Sequence, residues 1–252
     1  MAVDETLVAS LGTGGGPTLR LYGWSRPSLS LGYRATNPPG DRDGDWIRRA
    51  DLHGIDLVRR PTGGGAVLHC RDLSYSIVAA RGTDPIPDRM WASYEWIRSA
   101  LLDALRGAGI EAIAARGVRA ASVEPLCFKS ATGTEIEAAG LKIVGSAQRR
   151  TGWGFLQHGS IRLRDDSDLY RALFGTAPAP AVPGTGHIDP VRLRRAIVAA
   201  FEHALGGPIE RAGLSASELD QARRRERLRS LDRLCAPSIS SSEPACSADN
   251  AR

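Results

Sequence analysis

Apolar and polar positions recur along the chain in short blocks whose periods differ. TLRLYGW (18–24) and SLSLGY (28–33) alternate, which predicts two strands across a Pro-containing turn. Residues 3–10 read as a short helix, and 43–54 as a helix with an Asp start and a Gly stop. Strands are predicted at 55–60, 66–70 and 73–80. The clearest helix is 87–109, where Trp91, Tyr94, Ile97, Leu101, Leu102 and Leu105 recur at three and four and glycine ends the run. Residues 132–138, 141–150 and 154–164 read as consecutive strands, with Ala139-Gly140 as a tight turn between the first two. A helix at 166–174, a Pro/Ala/Gly link at 177–186, a helix at 190–205 and an Arg-rich helix at 214–234 follow. Strands grouped around one long helix predict an α+β fold with a mainly antiparallel sheet and flanking helices. Residues 1–205 read as the main domain, 206–236 as a helical extension, and the Ser-rich 237–252 as a disordered tail.

Composition narrows the function classes. The 252 residues are 42% hydrophobic and 24% charged, which suits a globular protein. No apolar run reaches the ~18 residues of a membrane span, and the acidic start lacks a secretory signal's basic region. The four cysteines show no C-x-x-C spacing, which argues against a disulfide scaffold or a zinc site. A cytoplasmic protein with reduced thiols, no membrane and no bound metal is expected. The net charge of +5 favours acidic partners. RRRERLR (223–229) is locally basic, but acids are interspersed and no aromatic platform accompanies it, so no nucleic acid is expected. Of the 33 basic residues only two are lysines, Lys129 and Lys142. Where chemistry needs a compact ammonium, arginine is no substitute, and both lysines fall in one short window.

Four segments carry candidate chemistry. In Arg59-Arg60-Pro61-Thr62-Gly63-Gly64-Gly65-Ala66-Val67-Leu68-His69 the glycines allow close approach of backbone to a ligand, and the arginines could hold a phosphate or carboxylate. No G-K-[ST] follows and a strand rather than a helix comes next, which excludes a Walker loop and a dinucleotide fingerprint. In Leu141-Lys142-Ile143-Val144-Gly145-Ser146-Ala147-Gln148, period two places Lys142 and Val144 on one face and Leu141, Ile143 and Gly145 on the other. A lysine on an apolar strand needs a partner, and Gly145, Ser146 and Ala147 leave room for a ligand beside it. Cys127 lies in a loop before this hairpin, where an ammonium would raise its thiolate fraction; Cys70, next to His69, is its rival. Gln157-His158 interrupts a strand with polar groups and offers a general base.

The ordered set RRPTGGGAVLH, CF, GLKIVGSAQRR and LQHGSI resembles the lipoyl-attachment branch of the biotin/lipoate protein ligase family, and AVDETL looks like that family's N-terminal helix. The likeness covers about residues 2–175. Pro125-Leu126-Cys127-Phe128 is similar to the Pro-x-Cys-Phe of the cysteine-type octanoyltransferases, where ATP-dependent ligases carry an Asn-Asp pair. Two departures stand out: Cys70 occupies the place of an Asp, and no strand precedes the AVDE helix, which implies an upstream start or a bare sheet edge.

The resemblance implies an acyltransferase with no cofactor, with Cys127 as nucleophile and Lys142 as its activating lysine. The donor would be octanoyl acyl carrier protein. The acceptor would be a lysine on a lipoyl domain of a 2-oxoacid dehydrogenase or on the glycine cleavage H protein. Arg59, Arg60, Thr62, Gly63, Gly64, Gly65, Ala66, His69, Gly145, Ser146, Ala147, Gln148, Gln157 and His158 would line the substrate site, and the protein would act as a monomer. Other readings are an ATP-dependent lipoate or octanoate ligase, an amidotransferase between lipoyl domains, and a non-catalytic acyl-binding relative. Biotin ligation is disfavoured, since the Arg-rich G-R-G-R loop is absent.

Overall fold

The computed structural model of the chain describes residues 1–35, 45–115, 135–175 and 189–229. Helix α1 (Ala2–Ser10) and a 3-10 turn (Leu11–Thr13) lead into β1 (Thr18–Tyr22) and β2 (Ser28–Leu31). Next come α2 (Trp46–Leu52), β3 (Asp56–Arg59), β4 (Ala66–His69), β5 (Asp72–Ala80), α3 (Met90–Gly107) and β6 (Ala112–Ala114). The chain continues through β7 (Ile136–Ala138), β8 (Leu141–Arg150), β9 (Gly154–Arg162), α4 (Ser167–Phe174), α5 (Pro190–Leu205) and α6 (Ala216–Arg229).

The fold is α+β, as the sequence pattern predicts, with the strands divided between two sheets. The larger has six strands in the order β1-β5-β9-β8-β7-β6, and every neighbouring pair is antiparallel. The smaller has the order β3-β2-β4, with β2 parallel to β3 and antiparallel to β4. Only Cys70 and Arg71 separate β4 from β5, yet the chain changes sheet there. Strand β6 is not foreseen by the sequence pattern, because three residues are too few to show a period.

Alternation fixes which side of each sheet is apolar. On β5, Leu73, Tyr75, Ile77 and Ala79 face a core shared with Ile97, Leu101 and Leu105 of α3 and Leu193, Ile197 and Phe201 of α5. On the smaller sheet, Leu29, Leu31, Ala66 and Leu68 pack against Trp46 and Ala50 of α2 and Tyr170 and Leu173 of α4. Each sheet thus covers its apolar side with helices, and the remaining sides meet as a polar layer built from Ser28, Ser30, His69, Ser74, Ser76, His158 and Ser160, all buried. Helix α1 closes one end of that layer with Leu7 and Leu11 against Val78 and Leu156. The Arg-rich α6 packs along α1.

Strand β8 departs from simple alternation. Val144 pairs with Ile136 while Lys142 pairs with Glu137, so β8 carries one extra residue, Ile143. Such a bulge shifts the side-chain phase. Leu141, Ile143 and Val144 all pack on the α3 core. Lys142 is therefore turned to the opposite, inner side, which Gly145 shares through its pairing with Ser160. The expectation that Lys142 and Val144 share a face is corrected by this bulge.

The β7–β8 hairpin turns as predicted through Ala139-Gly140, with φ of +50° and +73°. Two positive φ values in succession suit Asn-Gly better than Ala-Gly. Ala139→Asn is expected to stabilise the protein by about 0.5–1 kcal/mol, read as a rise of a few degrees in the melting midpoint.

Candidate functional site

The polar layer is organised around Arg60, which is almost wholly buried. Its guanidinium donates to the carbonyls of Ser30 (2.8 Å), Gly63 (3.0 Å) and Gly65 (2.7 Å), and to the Ser30 hydroxyl (3.3 Å). Five fixed donors spread over neighbouring carbonyls hold the glycine loop in one shape. Gly64 sits at φ +95°, and a Cβ on Gly32 would come within 2.0 Å of its carbonyl oxygen, so both positions require glycine. Arg59 donates to the carbonyls of Gly32 (3.0 Å), Tyr33 (3.3 Å) and Ala35 (2.8 Å). The sequence offers this pair as anion holders; in the structure Arg60 binds main-chain carbonyls of the glycine loop and Arg59 those of the segment that follows β2.

Thr62, next in the loop, reaches across the layer to His158, with Oγ1 2.5 Å from Nε2. On the other side of the ring, Nδ1 lies 3.6 Å from a carboxylate oxygen of Asp4 on α1. Asp4 is fully buried and accepts hydrogen bonds from Arg20 (2.8 Å), Ser76 (2.8 Å) and Tyr22 (3.4 Å). Burial alone would raise its pKa, but His158, the positive amino terminus and Arg20 outweigh it and hold the carboxyl well below the usual range. Burial is the largest influence on His158 and lowers its pKa, although Asp4 opposes it, so the imidazole is neutral near pH 7.

His69 is fixed at both nitrogens. Nε2 lies 2.8 Å from the Ser30 hydroxyl, and Nδ1 lies 2.8 Å from Oδ2 of Asp72. The same oxygen accepts from Ser74 (3.0 Å) and Ser160 (2.6 Å). Burial would raise the Asp72 carboxyl, but His69 and the two hydroxyls together bring it below its ordinary value. Trp24 stacks on the His69 ring at 4.3 Å and donates its indole N–H to Ser74 (3.0 Å). His69 thus joins the two sheets.

Strand alternation divides the remaining predicted residues. Gly145 and Ala147 pair with Ser160 and His158 on the inner side, where a hydrogen and a methyl form the floor between Lys142 and His158. Ser146, Gln148 and Gln157 lie on the far side beneath α3. The Ser146 hydroxyl is 2.7 Å from that of Tyr75, Gln148 donates to Gln157 (3.1 Å) and Ser93 (3.0 Å), and Gln157 donates to Tyr75 (3.4 Å). Gly159 is glycine because a Cβ there would come 2.5 Å from the Tyr75 ring. Ala66 is in the α2/α4 core. Ser146, Gln148 and Gln157 thus lie on the opposite side of the large sheet from Lys142, and Ala66 lies on the helix-covered side of the smaller sheet.

Lys142 is buried and ion-paired with Glu135, also buried. Cys127 and Lys129 lie outside the described residues, and Cys70 is half-buried beside His69. Sequence reasoning missed Asp4, Asp72 and Glu135. An acid among the apolar residues of AVDETL, and one just ahead of the lysine hairpin, are the signals that could have found them. Among the described residues no helix is long and apolar enough to cross a membrane.

Two outcomes follow from this network. Arg60→Lys is expected to cost about 1.5–3 kcal/mol, because an ammonium cannot span three carbonyls; denaturant titration measures it. His158 has a folded pKa below its unfolded value of about 6.5. The unfolded chain therefore takes up this proton first, and the contribution present above pH 6.5 is lost as pH falls toward the lowered folded value. Urea midpoints between pH 7.5 and 5 should decline in the wild type and decline less in His158→Gln.

A profile of the lipoyl protein ligase A/B catalytic domain matches residues 1–199. Octanoyltransferase LipM of Carboxydothermus hydrogenoformans is 39% identical over 175 residues, covering 69% of this chain and 64% of the relative. Octanoyltransferase LipM of Kyrpidia tusciae is 34% identical over 249 residues, covering 88% of each. The chain thus spans just under two thirds of the first relative's length and most of the second's. Among solved structures, the T. acidophilum protein Ta0514 with bound lipoic acid shares the fold, with a TM-score of 0.71 at 24% identity over 90% of this chain and 88% of its own. Profile, relatives and fold agree: the chain belongs to the lipoyl protein ligase A/B catalytic-domain family.

Proposed function

We propose that this protein is an octanoyltransferase of lipoate assembly, with residues 1–205 as its catalytic domain. The Cys127 thiolate attacks the thioester carbonyl of octanoyl acyl carrier protein, and the carrier's thiol leaves as the octanoyl-Cys127 thioester forms. The ε-amine of a lysine on a lipoyl domain or glycine cleavage H protein then attacks that thioester. The amide forms, the Cys127 thiolate departs, and the amine's proton passes to a base. His158, kept neutral by burial, is the candidate for that base. Thioester exchange is near thermoneutral and aminolysis runs downhill, so the reaction needs no nucleotide.

The observation that carries this reading is Lys142, a buried ammonium on the inner side of β8. It lies at one end of a floor made by Gly145 and Ala147, with His158 at the other. A strip of such small side chains suits an unbranched acyl chain whose carbonyl meets a positive charge. Pro125-Leu126-Cys127-Phe128 and the two octanoyltransferase relatives favour transfer over ATP-dependent ligation. The basic balance suits acidic carrier proteins, and we place the protein in the cytoplasm as a monomer.

Intact mass after mixing with octanoyl acyl carrier protein, without ATP, tests the proposal. One octanoyl adduct is expected in the wild type and in Cys70→Ala, none in Cys127→Ala, and the adduct should move to an added lipoyl domain. Labelling of a lipoyl domain that requires ATP and free octanoate or lipoate, with no adduct, would instead make the protein a ligase.

A further inference from the structure

Helix α1 is buried from two sides. On its inner side Asp4 is wholly buried in the polar layer, and Leu7 and Leu11 pack there on Val78 and Leu156. Thr6 follows Asp4 by about 200° around the axis at 3.6 residues per turn, so it faces away from the layer, yet it too is wholly buried. Strands β5 and β9 meet α1 from within, and α6 is the element that covers its outer side. Nine residues are too few for a helix to persist alone in water, so α1 needs both coverings.

The two helices run antiparallel. Glu218, in the first turn of α6, is held below its ordinary pKa by the backbone N–H of Ser215 and then by that residue's hydroxyl, with a smaller contribution from Ser10 at the end of α1. The charge at the amino end of α1, weakened chiefly by burial, also feels Glu226 two turns further along α6. Glu218, Ala222 and Arg225 recur at four and three and are the less exposed positions, with Ala222 buried; Leu219, Arg223, Arg224 and Arg227 are exposed. Helix α6 also carries its own start signal, a capping box in which Ser215 accepts from the Glu218 N–H (3.2 Å) and Glu218 accepts from the Ser215 N–H (2.8 Å).

We propose that α6 is a clamp on α1 that holds the Asp4 carboxylate against His158 and keeps water out of that end of the polar layer. The charged groups facing His158 are Asp4 of α1, with Arg20 and Tyr22 of β1 behind it, Arg60 of the glycine loop, and the amino end of α1. Burial is the larger influence on His158 and lowers its pKa, while Asp4 raises it. Removing the Asp4 charge alone therefore lowers that pKa further, whereas opening the layer to water relieves the burial and raises it. The consequence for octanoyl transfer rests on the reading of His158 given under the proposed function; the clamp does not.

Ala222→Pro in the full chain breaks α6 in its middle without adding charge. Amide hydrogen exchange is expected to run on the order of tenfold faster across residues 2–10, with α3 unchanged. The His158 ring, assigned by comparison with His158→Gln and titrated by NMR, should move up toward about 6.5 in Ala222→Pro and down in Asp4→Asn. Arg223→Ala, on an exposed face of α6, should change neither readout. Unchanged exchange across residues 2–10, or a His158 pKa that stays or falls in Ala222→Pro, overturns the proposal. Where that variant does not fold, Ser215→Ala removes the cap instead: smaller changes in the same directions are expected, and their absence overturns the proposal.

Octanoyl transfer to a lipoyl domain separates the two levels. In Ala222→Pro its acid limb should move up in pH with the imidazole. A limb that does not follow, while exchange and titration change as expected, removes His158 as the base and leaves the clamp standing.

Discussion

Burial of a polar layer between two sheets is the constraint from which the rest of the architecture follows. Both sheets give their apolar sides to helices, so the sides that meet must satisfy their polar groups without water. Arg60 supplies the largest share of that satisfaction. Its donors bind the carbonyls of Ser30, Gly63 and Gly65, and the loop they shape carries Thr62 to His158. A lysine in the same place would contribute a point charge without the fork, which is why this arginine is unlike the many solvated ones on the surface.

The charges within the layer are handled in pairs. Asp4 gathers Arg20, Ser76 and Tyr22 beside His158, while Asp72 gathers His69, Ser74 and Ser160. Each carboxylate remains ionised despite burial because its partners outweigh the loss of solvation. His158 remains neutral for the opposite reason: burial outweighs the nearby carboxylate. A neutral ring among ionised carboxylates is the state that can accept a proton, and this links the packing of the layer to the chemistry proposed for it.

The inner surface of β8 depends on two local devices. The Ala139-Gly140 turn sets the hairpin, and the extra residue at Ile143 changes which side Lys142 faces. Small side chains at Gly145 and Ala147 then leave the surface between Lys142 and His158 shallow. The bulky and branched neighbours, Leu141, Ile143 and Val144, are all spent on the opposite core.

Much of this was legible before any tertiary structure. Alternation and helical spacing located nearly all the described elements, because period two and period 3.6 are written locally. Glycine in the R-R-P-T-G-G-G segment announced a loop under close approach, and Lys142 stood out as one of two lysines among many arginines. The order of motifs identified the family. Local pattern did not reveal the division into two sheets, because β4 and β5 are separated by two residues and either could continue the other's sheet. Nor did it reveal that Ser146, Gln148 and Gln157 lie behind the sheet, or that Glu135 and Asp4 complete the inner layer. Those outcomes depend on strand register, and register is decided by pairing between segments distant in sequence. Residue types and their periods were local properties of the chain; which side of a strand each side chain took, and which charges met across the layer, were settled only by packing, because one extra residue in a strand reverses every face that follows it.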